Sequence, residues 1–206
     1  MQVKTFYPSG FGSNCYVVLS ESMEDAVVVD PSVSYAKVVS SLGFSPRFSA
    51  ILLTHAHADH LLALSDWRQA TGAPVMIFAQ EAFALNSPEA NCSPFLGLGD
   101  LTFGDADRLL RNMDEIPFGE EALTVLHTPG HTVGSVCYYA EGHLLSGDTL
   151  FAHGGLGRTD LFGGSEDVLY ASVASLITLP PETAVYPGHG PASTVRTESL
   201  FHSYLL

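Results

Sequence analysis

The chain has 206 residues, with 8 basic against 22 acidic side chains, a formal net charge of −14 and 46% hydrophobic residues. That is enough apolar material for a sizeable core, which excludes a disordered tail or a fibre, and the length points to a single domain over residues 1–206. Lys4 and Lys37 are the only lysines, so there is no basic stripe for phosphate contacts, and nucleic acid is not an expected partner.

In chain order, Val3–Tyr7 and Cys15–Leu19 run apolar or alternate around a turn at Pro8-Ser9-Gly10, the pattern of paired strands. Ala26–Val29 reads as a short buried strand ending at Asp30-Pro31. Tyr35–Leu42 reads as a helix stopped by Gly43. Ala50–Leu53 is another buried strand. Leu61, Leu64 and Trp67 give residues 61–70 a helical spacing, with Gly72 as the stop. Val75–Phe78 is a strand followed by a short helical stretch. Residues 86–105 hold Pro88, Pro94, Gly97, Gly99 and Gly104 with little periodicity, and read as a long surface loop of the kind that often carries function. Strands return at 122–126, 135–139 and 143–146, then a helix at 166–178, a strand at 183–186 and a short C-terminal helix. This alternation favours helices packed on the outside of sheets.

No apolar run approaches the ~18 residues needed to span a bilayer. The opening MQVKTFYPSGFG carries one lysine and no apolar stretch, so the expectation is a cytoplasmic protein with no membrane partner. Cys15, Cys92 and Cys137 are odd in number, far apart and without a C-x-x-C pair, so each reads as a small buried hydrophobe in a reducing compartment.

The chemistry is concentrated at strand ends. After Ile51-Leu52-Leu53-Thr54 comes His55-Ala56-His57-Ala58-Asp59-His60, four potential metal ligands within six residues. Buried polar groups cost roughly 2–7 kcal/mol unless paired, and no opposite charge is nearby in sequence; a divalent cation is the natural partner. In an extended segment the rings of His55 and His57 point the same way and can share one ion, while Asp59 and His60 follow where the chain turns into the next helix and can face a second. His131 in Thr-Pro-Gly-His, Asp148 in Ser-Gly-Asp and His189 in Tyr-Pro-Gly-His-Gly each follow a predicted strand, beside glycine or proline residues that let the backbone turn sharply into a crowded site.

The run H-x-H-x-D-H, with the later Gly-His, Gly-Asp and Pro-Gly-His-Gly, resembles the metallo-β-lactamase-fold hydrolases over nearly the whole chain. The resemblance implies an α+β fold, a four-layer αββα sandwich with metals at one edge between two sheets. It implies that His55, His57 and His131 hold one divalent ion, that Asp59, His60 and His189 hold a second, and that Asp148 bridges them. Zinc is the expected ion, with iron or manganese compatible with the same donors. The true β-lactamases of this fold generally lack the counterpart of His60 or of Asp148.

Asn14-Cys15, Val29-Asp30-Pro31, Leu53-Thr54-His55 and Gly157-Arg158-Thr159-Asp160 are similar to the short single-domain bacterial forms of glyoxalase II. Set beside full-length glyoxalase II, the expectation is a protein without the C-terminal helical domain, and set beside the short forms the sequence reads His202-Ser203-Tyr204 where Asn-Pro-Phe is common. The resemblance implies that Arg158 contacts a glutathione carboxylate, for which its planar fork is suited; the alternative is an internal pair with Asp160. Asp30 reads either as an acceptor that orients a ligand histidine or as a turn aspartate. His127 is expected beside the site and His153 in a solvated loop, while His143 and His202 carry no signal.

The function implied is hydrolysis of a small-molecule thioester such as S-lactoylglutathione. Five neutral histidines and two carboxylates leave two divalent ions with an excess charge that a bridging hydroxide fits. Metal binding brings the pKa of water from 15.7 to about 7. Asp59 is then the catalytic group that orients this nucleophile and takes its proton. Three other readings use the same residues: a persulfide dioxygenase with one iron on His55, His131 and Asp148, a lactonase, and a metal-binding module without activity.

Overall fold

The structure is a computed structural model and describes residues 1–140 and 142–205. Strands β1 (Gln2–Phe6), β2 (Cys15–Leu19), β3 (Asp25–Val29), β4 (Arg47–Leu52), β5 (Val75–Phe78) and β6 (Arg108–Leu110) pair in that order as one six-stranded sheet. Its β1–β2–β3 part is antiparallel and β3 to β6 are parallel. The second sheet has six strands in the order β12-β11-β10-β9-β8-β7, formed by β7 (Glu115–Phe118), β8 (Glu121–His127), β9 (Val136–Ala140), β10 (His143–Gly147), β11 (Ala184–Pro187) and β12 (Ser193–Thr194). Helices α1 (Tyr35–Leu42) and α2 (Leu64–Thr71) cover the first sheet; α3 (Glu166–Leu176) and α4 (Val195–Phe201) cover the second. No helix among the described residues is long and apolar enough to cross a membrane.

The central strands are apolar on both faces over most of their length, with Asp25, Arg47 and Ser49 confined to the first residues of β3 and β4, because both of their faces are covered. Val17, Val28, Ile51 and Ile77 point to the helical side, where they pack with Val38, Leu64 and Trp67. Their neighbours Val18, Val27, Leu52 and Met76 point to the other sheet and meet Leu123, Val125, Tyr138 and Leu145. The strand period of two thus splits one hydrophobic run between two cores. A third core forms where Leu144 and Val185 meet Leu169, Val173 and Leu176 of α3. The result is the four-layer αββα sandwich expected from the motifs.

Several elements differ from the sequence reading. Residues 61–70 do not form one helix: a 3₁₀ turn spans Ala58–His60, and α2 starts only at Leu64. Strands β6, β7 and β12 have no counterpart in that reading. They have only three, four and two residues, too few to show a period. Pro117 in β7 also argues against a strand by itself, but β7 is the last strand of its sheet, and an edge position tolerates the missing amide. The 86–105 segment is irregular as expected, yet it is not simply a surface loop. Ala90, Asn91, Cys92 and Ser93 are buried. Asn91 is the reason: its Nδ2 donates to Leu101 O at 2.9 Å, its Oδ1 accepts from Ser93 N at 3.0 Å, and its carbonyl accepts from Ala58 N at 2.9 Å. The segment is therefore tied onto the His55–His60 turn. All three cysteines are unpaired and buried, as expected.

The outer helical layer rests on Trp67, which is fully buried. Its ring meets Phe48 edge-on at 4.9 Å and Tyr35 at 5.2 Å, and its Nε1 donates to Val33 O at 2.7 Å. Replacing Trp67 with alanine is expected to cost about 3–5 kcal/mol and to lower the thermal midpoint by roughly 10 °C. Circular-dichroism melting measures this, and bound metal should be unchanged in the variant below its midpoint.

Candidate metal centre

Every residue of the centre lies in a segment that leaves the end of a strand, with Asp59 and His60 in the 3₁₀ turn that follows β4, at the open edge between the two sheets. The turn from Thr54 to His60 leaves β4 and is gripped by Asp30, which lies one residue beyond β3 in the left-handed region at φ 51°. Asp30 Oδ1 accepts the Thr54 amide at 2.8 Å, and its Oδ2 accepts the Thr54 hydroxyl at 2.7 Å and His60 Nδ1 at 2.8 Å. Asp30 is 1% exposed, so it acts as a buried acceptor rather than as a simple turn residue. His131 follows β8, Asp148 follows β10 and His189 follows β11. Two glycines make the approach possible. A Cβ on Gly130 would overlap the backbone of Leu169, and one on Gly188 would overlap Asp148 Oδ1 and lie 2.7 Å from His60 Cε1.

All seven residues singled out in the sequence converge. Ligand-type atoms of His55, His57 and His131 lie within 4.8 Å of one another, as do those of Asp59, His60 and His189, and those of His55, His60 and Asp148. Asp148 therefore stands between the two histidine groups. Its Oδ1 is 3.3 Å from His60 Nε2, and its Oδ2 is 3.6 Å from both His131 Nε2 and His189 Nε2. Asp59 Oδ2 is 3.2 Å from His189 Nε2.

The donor set fits divalent ions. Three rings use their outer nitrogen to bond the protein: His60 Nδ1 to Asp30, His131 Nδ1 to Arg158 O at 2.7 Å, and His55 Nδ1 to the Thr54 hydroxyl at 3.0 Å. The Thr54 proton is already given to Asp30, so His55 donates to that oxygen and its inner nitrogen keeps its lone pair. Among the described residues the inner His55 Nε2, His60 Nε2 and Asp148 Oδ1 are buried without any hydrogen-bond partner. His131 Nε2 and His57 Nδ1 face each other at 2.9 Å. Orphaned buried atoms of this kind are costly, and a shared cation removes the cost.

Charge is distributed accordingly. Burial, reinforced by neighbouring imidazoles, holds the His55 and His57 pKa values below the usual range, His57 at about 3. Burial also lowers His131 against the pull of Asp148. These three rings are neutral donors near pH 7. Burial opposes ionisation of Asp148, but His60, His131 and His55 outweigh it and hold the carboxyl well below its ordinary value. Asp59 is likewise lowered, against burial, by His60 and His189. His60 and His189 are raised: burial resists protonation, and facing carboxylates overcome it, chiefly Asp148 for His60 and Asp59 for His189. In the bare protein, positive charge thus collects on the rings nearest the two carboxylates.

A cleft of about 340 Å³ opens onto Asp59, His131, Asp148 and His189. Phe95 and Leu96 of the 86–105 segment form one of its walls, and Phe151, Leu156 and Leu161 contribute further apolar surface. Arg158 lines the same cleft. Its guanidinium is bidentate to Asp160, at 2.7 and 2.8 Å, and lies 4.8 Å over the Phe95 ring. The internal pair is therefore formed, and the Arg158 carbonyl rather than its side chain supports His131, a role that no sequence pattern marks. The other histidines lie outside the cluster. His127 stacks on Phe78, His143 stacks on Tyr186, and His153 takes a positive φ of 63° with its amide bonded to Glu198. His202 is buried near the C-terminus.

Residues 8–189 match the family model described as the metallo-beta-lactamase superfamily. The chain is 38% identical to the probable metallo-hydrolase YqgX of Bacillus subtilis, over 90% of this chain and 89% of that protein. It is also 38% identical to a hydroxyacylglutathione hydrolase of Methylobacillus flagellatus, over 84% of this chain and 61% of that protein. Among solved structures it superimposes on the BLEG-1 B3 metallo-β-lactamase with a TM-score of 0.89 and 36% identity, covering 99% of both chains. It superimposes on TTHA1623 in a di-iron-bound form with a TM-score of 0.81 and 33% identity, covering 97% of both. The matched span takes in all seven converging side chains and runs to His189, and the chain belongs to the metallo-β-lactamase superfamily.

Proposed function

We propose that this metallohydrolase is binuclear and cleaves a small thioester of the S-lactoylglutathione type. One observation carries the reading: both histidine groups are assembled, and Asp148 lies between them. His55, His57 and His131 would hold one ion and Asp59, His60 and His189 the other, with Asp148 placed to serve both. Similarity to a hydroxyacylglutathione hydrolase supports the thioester, and similarity to a di-iron protein supports two ions and admits iron beside zinc.

Divalent ions held here would supply Lewis acidity and bring the pKa of a bound water from 15.7 to about 7. The remaining work falls to the chain. Phe151, Leu156 and Leu161 offer the acyl and thiol portions an apolar bed and exclude bulk water. Asp59 lines the cleft as an ionised carboxylate, kept so by His60 and His189. It orients the attacking water and takes its proton as the oxygen bonds to the acyl carbon. When the carbon–sulfur bond breaks, the proton leaves with the sulfur, and the products are a carboxylic acid and a thiol. Arg158, stacked on Phe95 at the cleft wall, exchanges Asp160 for a substrate carboxylate.

Elemental analysis should find about two ions per chain in protein that turns over S-lactoylglutathione. The Asp148→Ala variant is expected to lose binuclear occupancy and more than about 100-fold in rate. One iron per chain with oxygen uptake on glutathione persulfide would overturn the reading, as would turnover of a lactone or β-lactam in the same panel with none of the thioester. Removing metal with a chelator is expected to lower the thermal midpoint by roughly 10 °C, since saturation at ~1,000-fold over Kd adds about 4 kcal/mol, and added zinc should restore it. Arg158→Ala should raise KM for S-lactoylglutathione about tenfold with kcat little changed, as loss of a charge-assisted contact made equally in ground and transition states predicts.

A further inference from the structure

Glu81 is a buried carboxylate that none of these roles uses. It follows β5 at the start of a 3₁₀ turn, Ala82–Asn86, and is 1% exposed. Its two oxygens are divided between two loops: Oε1 accepts the Ala56 amide at 3.2 Å, and Oε2 accepts the Gly134 amide at 2.9 Å. The Thr132 hydroxyl pairs with the Ser135 hydroxyl at 2.7 Å in the same turn. Ala56 stands between His55 and His57, and Thr132 and Gly134 follow His131. The contact is close enough to dictate its neighbour, since a Cβ on Gly134 would come within 2.6 Å of Glu81 Cβ and 2.7 Å of its amide nitrogen. Burial pushes the Glu81 pKa up, and the bonds from Ala56 and Gly134 pull it back only in part. A buried acid that is held by two backbone amides rather than by a cation is an expensive way to fill space, and an apolar residue would serve packing better.

What the carboxylate does is fasten one histidine turn to the other. The bases of the two turns are already joined, by Val136 N donating to Thr54 O at 2.9 Å and Tyr138 Oη donating to Leu53 O at 2.7 Å. Glu81 joins them further out, at Ala56 between His55 and His57 and at Gly134 three residues past His131. Each ring depends on a fixed spacing, because metal–nitrogen bonds of about 2.0–2.1 Å tolerate little error. The histidines next to its anchor points at Ala56 and at Thr132–Gly134 are His55, His57 and His131, whereas His60 lies at the far end of the first turn. Those of the other group are governed elsewhere: His60 by Asp30, and His189 by the turn after β11.

We propose that Glu81 is a positioning residue for the ion held by His55, His57 and His131, setting the gap between their turns, and that the ion held by Asp59, His60 and His189 does not depend on it. The proposal rests on the ligand assignment given under Proposed function, but not on the substrate.

The test is zinc titration of metal-free protein, followed by calorimetry, with no substrate present. His57→Ala and His189→Ala mark which binding step belongs to which histidine group. Glu81→Gln keeps the shape but turns an amide N–H toward a backbone N–H. It is expected to weaken the step lost in His57→Ala by roughly 10–100-fold and to leave the step lost in His189→Ala at its wild-type affinity. Glu81→Asp keeps the charge but reaches one loop less well, and should fall between wild type and Glu81→Gln. The cobalt(II) absorption spectrum of Glu81→Gln should change only in the bands that His57→Ala removes. Wild-type affinity in both steps would overturn the proposal. So would equal weakening of both steps alongside a lowered melting midpoint of the metal-free protein, the signature of general loosening. If wild-type protein takes up a single ion, the binuclear reading falls on its own. Glu81 is then upheld if Glu81→Gln weakens that ion as His57→Ala does, and refuted if it does not.

Discussion

Five imidazoles and two carboxylates are crowded at the edge where two sheets meet, and several of their inner atoms have no partner among the described residues. Left to itself such a cluster would fly apart or take up water. It persists because the strands behind it are buried on both faces, and the cost of the cluster is small beside the three apolar cores those strands build. Each ligand follows a strand end directly, or by a turn of a few residues, so the stiffness of the sheets is passed on to the side chains with little slack. That is the condition a site for small, strongly coordinating ions imposes.

Behind the inner atoms stands a set of oxygen acceptors that orients them. Asp30 binds His60 and, through Thr54, His55. The carbonyl of Arg158 binds His131. Glu81 binds no ring, and instead ties the backbone at Ala56, between His55 and His57, to Gly134 in the turn that carries His131. Two of these three acceptors are buried carboxylates at the ends of neighbouring regions of one sheet, and each would be costly without the amides and hydroxyls it collects. The arrangement trades some stability for geometry.

Much of this was legible in the sequence, and the exceptions have physical reasons. The H-x-H-x-D-H run and the three later Gly- or Pro-flanked ligands stand out because few other causes put so many donors at strand ends. Strands alternating with helices pointed only to helices outside sheets; the four-layer αββα arrangement was implied by the resemblance that the ligand motifs carry. Three strands were hidden because two to four residues cannot show a period, and β7 was hidden further by Pro117, harmless at the edge of its sheet. The burial of Ala90–Ser93 was hidden because it depends on one asparagine whose partners, Leu101 O and Ser93 N, follow it within the same segment. Glu81 gave no signal because a glutamate at the start of a helical stretch is ordinary until its distant partners are known. The carbonyl of Arg158 could not have been read from side-chain identity at all.

That last contact separates two jobs within one residue. The main chain of Arg158 steadies His131, while its side chain lies along the cleft wall, over Phe95 and against Asp160. Any amino acid with a free carbonyl preserves the first job, whereas the second changes with every substitution. The loop therefore uncouples what projects into the cleft at position 158 from the support that its carbonyl gives His131, so the surface of the cleft can be altered there while the histidine stays in place.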